Sequence, residues 1–258
     1  MNRRRMLGLG SLAVASMAAS PLQPALAQRR ERLLIVLTST GRIPGSDRPT
    51  GLWWSEFAEP FDILRKAGFD VDVASTRGGP VPVDPRSGGE AGAKNDADAW
   101  AASRATSEVG KARLDDYAGI FLPGGHGTMW DFPDSAALAA LVGGAIDRGV
   151  PVGSVCHGPA GLVAARDRSG RPVVAGRRVN GFTDAEEAAA GMTSVVPFLL
   201  ETRLRELGGR FEGAGVFAPF AVRDGALITG QNPASSQQTA RLLLQAITER
   251  TGAVRRSG

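Results

Sequence analysis

Short, unbroken apolar runs alternate with longer stretches of helical periodicity along most of this chain. The runs fall at residues 32–37 ("RLLIVL"), 69–74, 119–122, 150–155 and 226–229. Each has the length and composition of a strand covered on both faces, where no side is left for polar residues. Between them, residues 53–67 place Trp53, Trp54, Phe57, Phe61, Ile63 and Leu64 in a helical pattern that stops at Gly68. Residues 135–148 are rich in alanine and leucine and follow Asp134, the expected N-cap. A further helix opens at "NPASSQQTARLLLQAI", with Asn232 as cap and Pro233 at the first helical position. This alternation predicts an α/β sandwich around a mostly parallel sheet.

The N-terminus has a different pattern. Arg3, Arg4 and Arg5 precede an apolar run from Met6 to about Ala19, and Ala25-Leu26-Ala27 supplies a small-residue cleavage site. The segment 1–27 is therefore expected to be an export signal of the Tat or Sec type, which predicts a periplasmic protein beginning at Gln28. The run is too short for a comfortable permanent span, which needs about 20 apolar residues, and no stable membrane insertion is expected after cleavage. Losing the three arginines takes the formal charge from +4 to +1. A nearly neutral mature chain, without a basic run interleaved with aromatics, predicts no nucleic-acid partner.

With 258 residues and 43% hydrophobic content, the rest suffices for one domain, 28–258, with a substantial core. It holds one cysteine, in "VPVGSVCHGPAGL". A lone thiol cannot form an intramolecular disulfide; it is either a small buried hydrophobe or a reactive group. Its position favours the second reading. Ligands in such sheets bind beyond the carboxyl ends of strands, and Cys156 immediately succeeds the 150–155 run. Gly153, Ser154, Gly158 and Ala160 permit a sharp strand-to-helix elbow. The N-terminus of the next helix is expected to lower the thiol pKa.

The elbow "VCHGPA", together with the preceding turn "FLPGGHGTMWDFP", resembles the ThiJ/PfpI superfamily. Its flavodoxin-like sheet is shared with class I glutamine amidotransferase domains. Three further stretches are similar to the branch of heat-shock-protein-31-type chaperones and glutathione-independent glyoxalase III enzymes: "TGLWWSEFAEPFDILRKAGFDVDVAS", "VNGFTDAEE" and "LITGQNPASS". The match runs from Leu33 to about Ile247. It implies a flavodoxin-like three-layer sandwich with a small cap insertion, here placed at 79–112, with Asp84, Ser87 and Trp100 as rim candidates.

The resemblance also implies roles. Cys156 matches the nucleophile, Glu56 the catalytic glutamate and His157 the base, although His157 by position alone also suits a scaffold contact. Aromatic neighbours should desolvate Glu56 and raise its pKa. A carboxylate is expected to orient His157, with Asp184 the first candidate and Glu187 the second. Backbone amides of Gly124, Gly125 and His157 are expected to form an oxyanion hole, with His126 lining the same pocket.

The activity so implied is conversion of methylglyoxal, or a related 2-oxoaldehyde, to a 2-hydroxy acid through a cysteine hemithioacetal, a lyase of the D-lactate dehydratase type. No cofactor is expected, and with two histidines and one cysteine no metal site either. Partners are a small carbonyl substrate and, as is common in the superfamily, a second copy in a homodimer. Alternatives are a holdase chaperone with unfolded clients, a redox sensor, and a small-peptide cysteine hydrolase. Glutaminase chemistry fits poorly, since no histidine lies downstream of His157.

Overall fold

The computed structural model of the chain describes residues 31–257; the expected export signal lies outside them. The first apolar run is β1 (Arg32–Leu37), and its side chains alternate between two cores. Leu33, Ile35 and Leu37 face one, Leu34 and Val36 the other. Burial on both faces leaves no place for an interior polar residue, and each such side chain contributes about 1.5–3 kcal/mol. After β1 come α1 (Trp54–Lys66), β2 (Asp70–Ser75), α2 (Gly89–Ala93), α3 (Ala97–Arg104) and β3 (Ser107–Glu108). The next group is β4 (Gly119–Leu122), α4 (Thr128–Asp131), α5 (Ala136–Asp147) and β5 (Val152–Val155). The chain continues through β6 (Arg178–Val179), α6 (Asp184–Ala189), α7 (Leu200–Glu206), β7 (Arg210–Phe211), β8 (Ala221–Asp224), β9 (Leu227–Gly230) and α8 (Ser236–Ser257).

Seven strands form the main sheet in the order β3-β2-β1-β4-β5-β9-β8. Neighbours are parallel except the β9–β8 pair, and β6 and β7 make a separate ribbon. Phe57, Phe61 and Leu64 of α1 and Leu243 and Ile247 of α8 cover one face; Leu138, Val142 and Ala145 of α5 cover the other. This is the predicted three-layer α/β sandwich with a mostly parallel sheet. Chain order runs outward from β1 through β2 to β3, then returns to the far side of β1 with β4 and β5. That reversal opens a crevice beyond the carboxyl ends of β1 and β4, where sheets of this kind hold ligands.

Local differences from the sequence reading have simple causes. The cap of α5 is Ser135, whose hydroxyl accepts from Leu138 N–H, so Asp134 stands one residue too early. Asn232 does cap the turn at Pro233, with Ser235 completing a capping box, and α8 begins just after it. Much of 79–112 is built onto the body rather than over the crevice. β3 extends the sheet edge, while Trp100 of α3 packs edge-on against Trp54 at 6.1 Å. Asp96 accepts a 2.7 Å hydrogen bond from Trp54 Nε1. Of the expected rim residues, Trp100 thus lies in the α1–α3 seam and Asp84 is fully buried. The turn that touches the crevice is Pro85–Ser87.

Candidate active site

β5 ends at Val155, and Cys156 then takes φ 58°, a left-handed conformation that costs a non-glycine residue about 1–3 kcal/mol. Its neighbours over-determine it: Cys156 N–H donates to Gly230 O at 2.9 Å, and Cys156 O accepts from Phe182 N–H at 2.8 Å. The sharp elbow is as the small residues predict. Its electrostatics differ from expectation. The next element is only a short 3-10 turn, Gly158–Leu162, and Cys156 is 3% exposed. Burial pushes the thiol pKa well up, and proximity to Glu56 adds to this; the His157 N–H opposes both without prevailing.

Glu56 sits in the first turn of α1 with 0% exposure. Its Oε2 accepts the Gly124 N–H at 2.7 Å, while Oε1 is buried with no hydrogen-bond partner within normal distance among the described residues. Burial raises this carboxyl to about 8, although interactions with the Cys156 side chain and the Gly124 amide pull the other way. At neutral pH Glu56 therefore carries a proton and faces the thiol as a donor. The approach depends on Gly124 having no side chain. A Cβ there would lie 2.8 Å from Glu56 Oε2 and 2.6 Å from His157 N.

On the other side of the sulfur, His157 Nδ1 is 3.3 Å from Cys156 Sγ and His157 Nε2 is 2.9 Å from Glu187 Oε2. The second oxygen of Glu187 meets His126 Nε2 at 2.8 Å, and the imidazole centroids stand 4.0 Å apart. His126 Nδ1 lies 3.0 Å from Arg86 Nη2. Phe182 covers His157 with its ring at 4.4 Å. Burial alone would raise the Glu187 carboxyl, but the two imidazoles hold it down to about 2. Burial and the neighbouring His157 depress His126 to about 4.

α6 aims Glu187 at the imidazoles because its start is pinned. Thr183 and Glu186 form a capping box, and Glu186 also accepts from Gln231 Nε2, Asn232 Nδ2 and Phe217 N–H. Asp184, the first candidate to orient His157, is in the wrong place. It stands at the start of α6 and accepts from Thr202 Oγ1 at 2.5 Å, whereas the residue one helical turn later enters the site. The oxyanion hole also needs correction. The Gly124 N–H is taken by Glu56 and the His157 N–H by the thiol, leaving the Gly125 N–H without an acceptor among the described residues.

His126, His157 and Glu187 are the one His/Cys/Asp/Glu group close enough to share a metal ion among the described residues. Both Nε2 atoms are instead engaged as N–H donors on the carboxylate, so the group is a hydrogen-bonded network. A cleft of about 750 Å³ between α1, β2 and α3, lined by Phe61, Arg65, Val71 and Asp98, holds none of these residues. Sequence reasoning passed over Arg86, which lies in a polar stretch without periodicity. It ranked Glu187 second although the "TDAE" capping box fixes where α6 begins.

The DJ-1/PfpI family matches residues 51–246 of this chain. Glutathione-independent glyoxalase HSP31 of Saccharomyces cerevisiae is 32% identical over 226 residues, which span 81% of this chain and 95% of that protein. Glyoxalase 3 of Candida albicans is 30% identical over 224 residues, with the same 81% and 95% coverage. Among solved structures, glyoxalase III from Candida albicans superposes with a TM-score of 0.76 at 28% identity, covering 83% of this chain and 96% of the other. The Francisella tularensis Rapid Encystment Protein 24 KDa gives 0.80 at 31% identity, covering 84% and 99%.

Proposed function

This chain belongs to the DJ-1/PfpI family, and we propose that it is a glyoxalase III-like enzyme that needs no glutathione. The substrate is methylglyoxal or a related 2-oxoaldehyde, and the product a 2-hydroxy acid. Relatives named as glyoxalases support an enzyme. The observation that carries the finer reading is a single sulfur flanked by a protonated carboxyl, Glu56, and an imidazole backed by a carboxylate, His157 on Glu187.

The steps are set by which group holds which proton. Cys156 S–H passes its proton to His157 Nδ1 as the sulfur bonds to the aldehyde carbon, and the carbonyl oxygen takes a proton from Glu56, giving a hemithioacetal. Glu56, now a carboxylate near its own raised pKa, removes the hydrogen on that carbon as its electron pair forms the carbon–carbon double bond, and passes the proton to the neighbouring carbonyl oxygen, giving an enediol. Glu56 then takes the hydroxyl proton from the sulfur-bearing carbon and delivers it to the adjacent carbon, which yields the thioester of the 2-hydroxy acid and leaves Glu56 a carboxylate. That carboxylate takes a proton from water as the water oxygen attacks the thioester carbon, and the His157 imidazolium returns its proton to the departing sulfur. The S–C bond breaks, and the thiol, the neutral imidazole and the protonated Glu56 are restored. The balance is one 2-oxoaldehyde plus one water to one 2-hydroxy acid. The Gly125 N–H is the amide left to hold a developing oxyanion.

The test is conversion of methylglyoxal to lactate without glutathione, by the chain lacking residues 1–27, beside Cys156→Ser. The expected result is turnover in the first and a loss of at least about a thousandfold in the second. Equal rates in both would end the cysteine mechanism.

A further inference from the structure

We infer that Arg86 decides which of the two stacked imidazoles becomes charged: by donating to His126 Nδ1 it keeps that ring neutral and reserves the imidazolium for His157. This rests on the reading of Cys156 and His157 as the reacting pair, and it gives the turn at 85–87 a part in the chemistry as a positioning element.

A guanidinium donates hydrogen bonds and accepts none. At 3.0 Å from Arg86 Nη2, His126 Nδ1 must therefore present its lone pair. The one proton of His126 is then on Nε2, where it is donated to Glu187 Oε1 at 2.8 Å. Arg86 is itself clamped. Its Nε and Nη2 donate to Asp84 Oδ1 and Oδ2 at 3.0 and 2.8 Å, and Asp84 is fully buried and also accepts the Arg86 N–H.

The groups facing His126 come from four elements. They are Arg86 from the 85–87 turn, Glu187 from α6, His157 from the turn after β5, and the uncharged ring of Phe182 at 6.0 Å. Asp84 stands behind Arg86, while Cys156 and Glu56 lie beyond His157. Two imidazoles 4.0 Å apart share one carboxylate, and a proton on either opposes a proton on the other. Transfer from the thiol needs that positive charge on His157. Removing Arg86 frees His126 Nδ1 to take a proton, and a charged His126 then works against the transfer. Burial and the neighbouring His157 are the main causes that depress His126 to about 4, and the Arg86 charge acts in the same direction.

The chain contains two histidines, so an untagged protein labelled with ring-15N histidine reports both imidazoles and nothing else. In the wild type, His126 should stay the neutral Nε2–H tautomer from pH 8 down to about 5. In Arg86→Met its titration should move up by at least about one pH unit, and kcat at pH 6 should fall about tenfold with KM little changed. Arg86→Lys, which restores a donor, should return the tautomer and most of the rate. An unchanged His126 titration in a folded Arg86→Met variant overturns the inference, whatever the rate does. Wild-type His126 found charged at pH 6 or in the Nδ1–H form overturns it even if both variants misfold. Because the spectrum is read without substrate, absence of glyoxalase activity would leave this test standing.

Discussion

Two glutamates stand on either side of Cys156, one beside its sulfur and one behind His157, both buried, and they end up in opposite states. Glu56, on the α1 side, has one backbone N–H as its firm partner and is pushed up to about 8. Glu187, on the α6 side, receives an imidazole N–H on each oxygen and is held at about 2. Burial acts on both in the same direction; donors and nearby cations decide the outcome. Pairs of titratable groups separated in this way mark the acid and the base of a site. In the proposed mechanism the first gives and takes a proton near neutrality, while the second stabilises positive charge on His157, the base that relieves the thiol.

Glu187→Gln is the most severe way to break the contrast. Two Nε2–H donors need two acceptors, and an amide offers one oxygen and one NH₂ group. One imidazole must change tautomer. Arg86 blocks the change at His126, so it falls on His157, which then turns an Nδ1–H toward the sulfur and cannot accept its proton. A wrong tautomer of this kind costs about 10⁴ in kcat in a serine-protease triad, and a loss of about 10³–10⁴ is expected here. Single-turnover kinetics with methylglyoxal measures it; a loss below tenfold would show that His157 does not depend on Glu187.

Glu56→Gln sharpens the same contrast through stability as well as rate. Turnover should fall about 10²–10³-fold, in the range for loss of a general acid–base. The fold should become more stable, with a definite pH dependence. The free carboxyl ionises near 4.5 and the folded one near 8. As pH rises between those values the unfolded state sheds its proton first, so the wild type loses stability while the glutamine variant does not. The gap in urea unfolding free energy should be near zero below pH 4.5 and grow to a few kcal/mol at pH 8. Parallel stability curves would mean that Glu56 ionises normally, and the comparison would fail.

How far this could be foreseen from sequence depends on the range of the interactions involved. β1, β4 and β5 were legible because each is buried on both faces and so written as continuous apolar residues. The place of Cys156 was legible because a strand end is a local feature. Its acidity was not: burial, Glu56 and the His157 amide compete there, and Glu56 lies a hundred residues away in the chain. The dipole of a helix that proved to be one short turn did not prevail. Arg86 and His126 are separated by 40 residues and lie in stretches with no repeat to betray a contact. The two-residue strands β6 and β7 carry too little pattern to announce themselves.

The smallest effect concerns Asp184, the acid that sequence favours for the role Glu187 fills. Asp184 and Glu187 lie on one short helix, one turn apart, and neither side chain is distinguished by composition. The capping box separates them. It fixes Thr183 as N-cap, which puts Asp184 in the first turn, where it meets Thr202, and carries Glu187 inward. Asp184→Ala should therefore remove two exposed hydrogen bonds from Thr202 and a favourable charge at a helix start, together about 0.5–1 kcal/mol, and leave kcat within about twofold. Thermal unfolding and methylglyoxal turnover on the same preparation test both halves. A tenfold fall in rate with stability unchanged would tie Asp184 to His157 after all, and Glu187 would then need another explanation for its two imidazole bonds.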